Sequence, residues 1–137
     1  MRKVMIDTNI YSLAMKGELN TIDILRKVDY IGISAISIGE LIAGFQAGTR
    51  EKKNREELDL FLDSPRVIVY DIDEETSEFY ASIFNQLKSA GTPIPTNDIW
   101  IAASVFQHGH RLFSHDKHFE KIQGLFLIRR NEFSSGN

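Results

Sequence analysis

Lys3-Val4-Met5-Ile6-Asp7-Thr8-Asn9-Ile10-Tyr11 is the stretch whose reading sets the fold. Val4-Met5-Ile6 is apolar at consecutive positions, too brief for a helix, and ends on an acid. Consecutive apolar residues without polar alternation read as a strand covered on both faces. Asp7 then opens a helical stretch from Thr8 to Met15, at a position where Asp is a favoured N-cap. A short buried strand passing directly into a helix is the unit that recurs down the chain.

Gly17 breaks the first helix, and Asn20 to Val28 reads as a second, with Ile22, Leu25 and Val28 on one face. Tyr30-Ile31-Gly32-Ile33-Ser34 is β-branched and brief, a second strand. Ser34 or Ser37 caps the next helix, whose Ile38, Leu41, Ile42 and Phe45 recur at helical spacing before Gly48. Arg50 to Leu62 is a charged helix with Leu58, Phe61 and Leu62 at its buried end. Ser64-Pro65 punctuates, and Val67 to Tyr70 is a third strand. Asp73 to Ser89 is a long helix with a stripe of Thr76, Phe79, Tyr80, Ile83, Phe84 and Leu87, stopped by Gly91.

Thr92-Pro93-Ile94-Pro95 is a stiff lead to Thr96, the expected N-cap of a helix running through Phe106. That helix is apolar nearly all round (Ile99, Trp100, Ile101, Ala102, Ala103, Val105), which predicts a central position. Arg111 to Phe113 is a fourth strand and Phe126 to Ile128 a short fifth. The alternation predicts an α/β class fold: three layers, with helices on both faces of a central parallel sheet of four to five short strands. Sites in such sheets form beyond the carboxyl ends of the strands, where strand order reverses. Asp7 and Asp116 both follow strand ends, so the pattern places them on the same rim.

With 137 residues the chain reads as one domain over residues 1–130, followed by a tail at 131–137. Its 42% hydrophobic and 26% charged residues are those of an ordinary globular protein. No apolar run reaches membrane-spanning length, and no cationic start precedes a secretory core. The absence of cysteine excludes disulfides and thiolate metal sites and fits a reducing cytoplasm. A net charge of −3 offers no global attraction to nucleic acid, so basic patches or a bound cation must supply it.

Four acids stand beside core elements: Asp7, Glu40, Asp98 and Asp116. A carboxylate left charged and unpaired there costs several kcal/mol, roughly as much as a domain has to spare. A divalent cation is the simplest compensation. Each acid also has a purely structural reading. Asp7 serves as an N-cap or as a ligand, with Thr8 and Asn9 adding polar groups at the same turn. Glu40 interrupts an apolar helix beside Leu41, Ala43 and Gly44, or reaches to water from its edge. Asp98 favours the dipole of the helix it opens, or is held in order there by the Pro-stiffened loop. Asp116 in Leu112-Phe113-Ser114-His115-Asp116 is a turn residue, a cap or a ligand.

The four histidines fall as His108-x-His110 and as His115 and His118 around Asp116. They lack an HExxH pattern or a cysteine partner for zinc. His118 lies close enough in sequence to act at Asp116, as a phosphate contact or at an interface. Arg50, Lys52, Lys53 and Arg55 are interleaved with Glu51, Glu56 and Glu57, the pattern of a solvated helix face more than of a nucleic-acid contact. Lys16, Arg2 and the Arg129-Arg130 pair carry no clearer signal.

Four segments together resemble the PIN-domain family: Ile6-Asp7-Thr8-Asn9, Ser37-Ile38-Gly39-Glu40-Leu41, Pro95-Thr96-Asn97-Asp98-Ile99-Trp100-Ile101-Ala102-Ala103, and Leu112 to Phe119. They occur in the family's order from Arg2 to about Ile128, and the short single-domain length is similar to the VapC type of bacterial toxin ribonuclease. The resemblance implies a PIN-like fold and an endoribonuclease dependent on Mg²⁺ or Mn²⁺. Asp7, Asp98 and Asp116 would ligate the ion, directly or through water. Glu40 would orient a water or help hold a second ion, with Thr8, Asn9 and Ser114 supporting the acids by hydrogen bonds. It implies hydrolysis of RNA to a 5′-phosphate and a 3′-hydroxyl, a VapB-like antitoxin whose tail covers the site, and a homodimer. Ile10, Tyr11, Leu13, Ile22, Ile24 and Leu25 offer contact surface for that dimer, although core packing explains them equally well.

Two other functions remain open at the level of sequence. Asp7-x-Asn9 after a first strand has some likeness to aspartyl-phosphate phosphotransferases, but these want a second Asp at the position of Asn9 and a well-placed Lys. An inert PIN-like module that only binds RNA or a protein partner would predict a broken acidic set, and the set is intact.

Overall fold

A computed structural model of the protein describes residues 2–128. The C-terminal tail and the Arg129-Arg130 pair lie outside the described residues. Strand β1 (Lys3–Ile6) leads into α1 (Thr8–Met15) and α2 (Leu19–Arg26), then β2 (Tyr30–Ser34), α3 (Ala35–Ala47) and α4 (Glu51–Leu62). β3 (Val67–Tyr70) is followed by α5 (Glu74–Ala90) and α6 (Thr96–His108). β4 (Arg111–Phe113), a 3₁₀ turn (Lys117–Lys121) and β5 (Leu127–Ile128) complete the fold.

The strands form one five-stranded sheet in the order β3-β2-β1-β4-β5. Every neighbouring pair is parallel, with Ile6 opposite both Ile33 and Phe113. The chain builds outward from β1 through β2 to β3, then returns to the other side of β1 for β4. Strand order therefore reverses between β1 and β4, which opens a crevice at their carboxyl ends.

Alternation along the strands divides the core in two. Val4, Ile6, Ile31, Ile33 and Phe113 face Ile10, Tyr11, Ile24, Leu25, Leu41 and Leu58 from α1 to α4. Met5 and Leu112 face the other way, onto Ile99, Ala102, Ala103 and Val105 of α6 and Ile83 and Leu87 of α5. These are the three layers that the strand–helix alternation implies. α6 is the central helix expected from its composition, with Ile99 and Ile101 through Val105 all buried. α5 packs on α6, where Tyr80 stacks against Trp100 with ring centroids 4.0 Å apart.

Local signals explain where the helices begin, with one correction. Of the two serines read as caps of α3, Ser34 is the cap, its Oγ accepting from the Ile36 amide at 3.1 Å, while Ser37 lies inside the helix. α5 starts in a capping box between Asp73 and Thr76 and stops at Gly91, whose φ of 70° is the left-handed conformation that favours glycine. Thr96 is not the N-cap of α6. That position is Pro95, whose carbonyl accepts from the amides of Asp98 and Ile99 at 3.1 and 3.4 Å, so Thr96 lies in the first helical turn. The fixed φ of Pro95, −56°, suits an extended lead into the helix.

The residues offered as dimer surface largely enter the core: Ile10, Tyr11, Ile24 and Leu25 are buried. His108 and His110 also have a packing role. The Tyr70 ring crosses the sheet over Gly32, where an added Cβ would lie 2.8 Å from Tyr70 Cε2. The Tyr70 hydroxyl pairs with His110 Nε2 at 2.6 Å, and His108 stacks on the Tyr70 ring at 3.8 Å. Among the described residues, neither histidine belongs to a group of three metal-ligating side chains.

Candidate metal centre

Asp7 stands one residue beyond β1, and its backbone hands over from extended (φ −88°, ψ 176°) to helix. Its Oδ1 accepts from the Ile10 amide at 2.9 Å, so the N-cap role is real. Its Oδ2 accepts a short hydrogen bond from the hydroxyl of Ser114, the residue just past β4. Because Ile6 and Phe113 are register partners, the two following residues come face to face across the crevice. Ser114 Oγ in turn accepts from the Asp116 amide at 2.9 Å. One hydroxyl thus ties the β1 acid to the loop that carries the β4 acid.

Asp116 caps the 3₁₀ turn, its Oδ1 accepting from the His118 amide at 2.9 Å. That turn brings the His118 ring back, with Nδ1 3.1 Å from Asp116 Oδ1 and 3.1 Å from Asp98 Oδ2. Asp98 reaches this point from the first turn of α6. Ligand atoms of Asp98, Asp116 and His118 all lie within 4.8 Å of one another. Glu40, exposed on α3, is held by two neighbours: Thr8 Oγ1 donates to its Oε1 at 2.7 Å and Asn97 Nδ2 to its Oε2 at 3.3 Å. Asn9 is exposed on α1 and makes no hydrogen bond to the cluster among the described residues.

Electrostatics follows from this crowding. Burial pushes the Asp7 carboxyl above its ordinary value, opposed by the Ser114 and Ile10 hydrogen bonds and reinforced by the charges of Asp116 and Asp98. Asp98 is likewise raised, first by burial, with the His118 hydrogen bond opposing and the Asp116 and Glu40 charges adding. Buried like charges that raise one another are relieved by a cation. The donors suit a hard divalent ion: carboxylate oxygens, few in number.

The rim thus gathers Asp98 and Asp116 most tightly, links Asp7 through Ser114, and leaves Glu40 at the margin beside Thr8. Of two further neighbours of the acids, the sequence singles out only His118. Asn97 is one amide among the polar residues opening α6, and nothing in its spacing points to Glu40. His118 has a signal, two residues beyond Asp116, but only the turn geometry shows which way its ring faces.

A model of the PIN domain family matches residues 4–125. Ribonuclease VapC2 of Rickettsia felis is 29% identical over 128 residues, spanning 90% of this chain and 94% of that protein. VapC ribonuclease Y4jK of Sinorhizobium fredii is 31% identical over 136 residues, spanning 91% and 95%. DNA-bound VapBC from Salmonella typhimurium superposes with a TM-score of 0.85 at 25% identity, over 95% of this chain and 99% of that one. VapBC-1 from nontypeable Haemophilus influenzae gives a TM-score of 0.84 at 27% identity, over 95% and 99%. The reversal of strand order, the acids gathered at it and these similarities agree: the chain belongs to the PIN-domain family.

Proposed function

We propose that this protein is a metal-dependent endoribonuclease and the toxin of a VapBC-type pair. The observation that carries the reading is the acidic set at the β1/β4 crevice, intact in a chain whose relatives are named ribonucleases VapC. Asp7, Asp98 and Asp116 hold Mg²⁺ or Mn²⁺ between them, and Glu40 positions a water or a second ion. When bound, the cation makes water more acidic, polarises the scissile phosphate and lets an acidic rim accept a polyanion.

The chain's own groups hold these parts in place. The Ile10 amide and the Ser114 hydroxyl fix the two oxygens of Asp7. Thr8 and Asn97 fix the two oxygens of Glu40, so its carboxylate points at one place rather than sweeping through solvent. Asn9 completes the polar first turn of α1. Water attacks phosphorus and the bond to the 3′ oxygen breaks, leaving a 5′-phosphate and a 3′-hydroxyl without use of the RNA 2′-hydroxyl. Both Asp7 oxygens are engaged, which disfavours Asp7 as a nucleophile toward phosphorus.

The partners of this reading are an RNA substrate, a VapB-like antitoxin and a second copy of the chain, in the cytoplasm. Among the described residues no helix is long and apolar enough to cross a membrane. The test compares RNA cleavage by the wild type and Asp7→Asn with Mg²⁺ or Mn²⁺ and with chelator. Cleavage is expected only from the wild type with metal, and activity that survives chelator or the substitution overturns the chemistry. Induced expression should arrest growth, with relief from a short neighbouring reading frame.

A further inference from the structure

His118 is not one of the four acids, yet it is the side chain on which two of them converge. Its Nδ1 lies 3.1 Å from an oxygen of Asp98 and 3.1 Å from an oxygen of Asp116. The position is built rather than incidental. Asp116 accepts from the His118 amide, which fixes the backbone that carries the ring, and Asp98 is fixed by the first turn of α6. The side chains of Asp98 and Asp116 are 18% and 30% exposed, and that of His118 is 42% exposed, open enough for an ion to enter. Neighbouring ligands on an octahedral ion with bonds of about 2.1 Å stand about 3.0 Å apart. Both nitrogen–oxygen separations match that edge.

Resting on the metal-dependent reading above, we propose that His118 Nδ1 is itself a protein ligand of the divalent ion, alongside Asp98 and Asp116. The centre is then a mixed nitrogen–oxygen site that selects Mn²⁺ over Mg²⁺. As the Nε2–H tautomer, the ring offers the Nδ1 lone pair to the ion. Mg²⁺ takes oxygen ligands and keeps much of its water, and gains little from imidazole. First-row transition ions gain from a nitrogen donor, in the order in which such sites rank them.

The experiment uses the whole chain and the metals alone. Pulsed electron paramagnetic resonance of the Mn²⁺-bound wild type should show direct coupling to a ¹⁴N nucleus. His118→Gln should lose that coupling, and His115→Gln should keep it. By calorimetry, His118→Gln should weaken Mn²⁺ binding on the order of tenfold while changing Mg²⁺ binding by less than about threefold. A wild-type Mn²⁺ spectrum without nitrogen coupling overturns the proposal and leaves the metal-dependent nuclease standing. So does coupling that persists in His118→Gln. A wild type that binds neither ion removes the metal reading and this proposal together. The wild-type spectrum is decisive even if a variant fails to fold.

Discussion

His110 is 4% exposed and pairs with the Tyr70 hydroxyl through Nε2, and burial holds its pKa down to about 4. The neighbouring His108 and Lys3 push it the same way, and the nearby Val4 backbone opposes them. Above about pH 6.5 the ring is neutral whether the chain is folded or not, and its contribution to stability is complete. Between about 6.5 and about 4 the unfolded chain takes up a proton that the folded protein refuses. Stability therefore falls with pH across that window, with a slope approaching about 1.4 kcal/mol per unit, and levels off below it. His108 is also lowered by burial and adds to the same limb. Urea denaturation of the wild type should show this acid limb, and His110→Asn should flatten it. A limb unchanged by the substitution would assign it to other groups.

At the scale of elements, β2 and β3 depend on the missing side chain at residue 32. The Tyr70 ring occupies that space, and a Cβ there would also lie 3.1 Å from His110 Cε1. Gly32→Ala should displace the ring, break the Tyr70–His110 pair and lower stability by about 1–3 kcal/mol, read from the urea midpoint. Adding Tyr70→Leu should make the glycine substitution nearly harmless, because the two positions share one space. Independent additivity would contradict this account. The strands were legible as runs such as Val4-Met5-Ile6, and α6 as an unbroken apolar helix. Its cap was not legible. Thr96 has the better capping side chain, but the carbonyl of Pro95 already receives the first helical amides, so the threonine falls one residue inside.

For the molecule as a whole, the buried acidic rim is a source of instability. Asp7 is 5% exposed and its carboxyl is raised by burial, so folding disfavours its charge. Stability therefore drops as pH rises through the raised pKa and stays lower above it. Without divalent ions at neutral pH, Asp7→Asn should be at least as stable as the wild type. With Mn²⁺ at a hundredfold excess over Kd, the wild type should gain about 2.7 kcal/mol and the variant much less. Thermal unfolding with and without Mn²⁺ checks both halves. An Asp7→Asn protein that is clearly less stable without metal would show that the N-cap bond to Ile10 outweighs the buried charge.

The sequence by itself determined the class of fold, the central helix, the rim on which Asp7 and Asp116 meet and the resemblance that joined the four acids. Those properties follow from local pattern: apolar runs, turn residues and acids at the ends of strands. Only the tertiary structure decided how each acid is held. It tied Asp7, already a helix cap, to the loop after β4 by setting Ser114 opposite it, and it supplied Asn97 to Glu40 across 57 residues of chain. It also turned His118 onto two carboxylates while placing His108 and His110 against Tyr70. Hydrogen bonds of this kind depend on where two elements are brought by the packing of the whole sheet. Spacing along the chain holds no record of that.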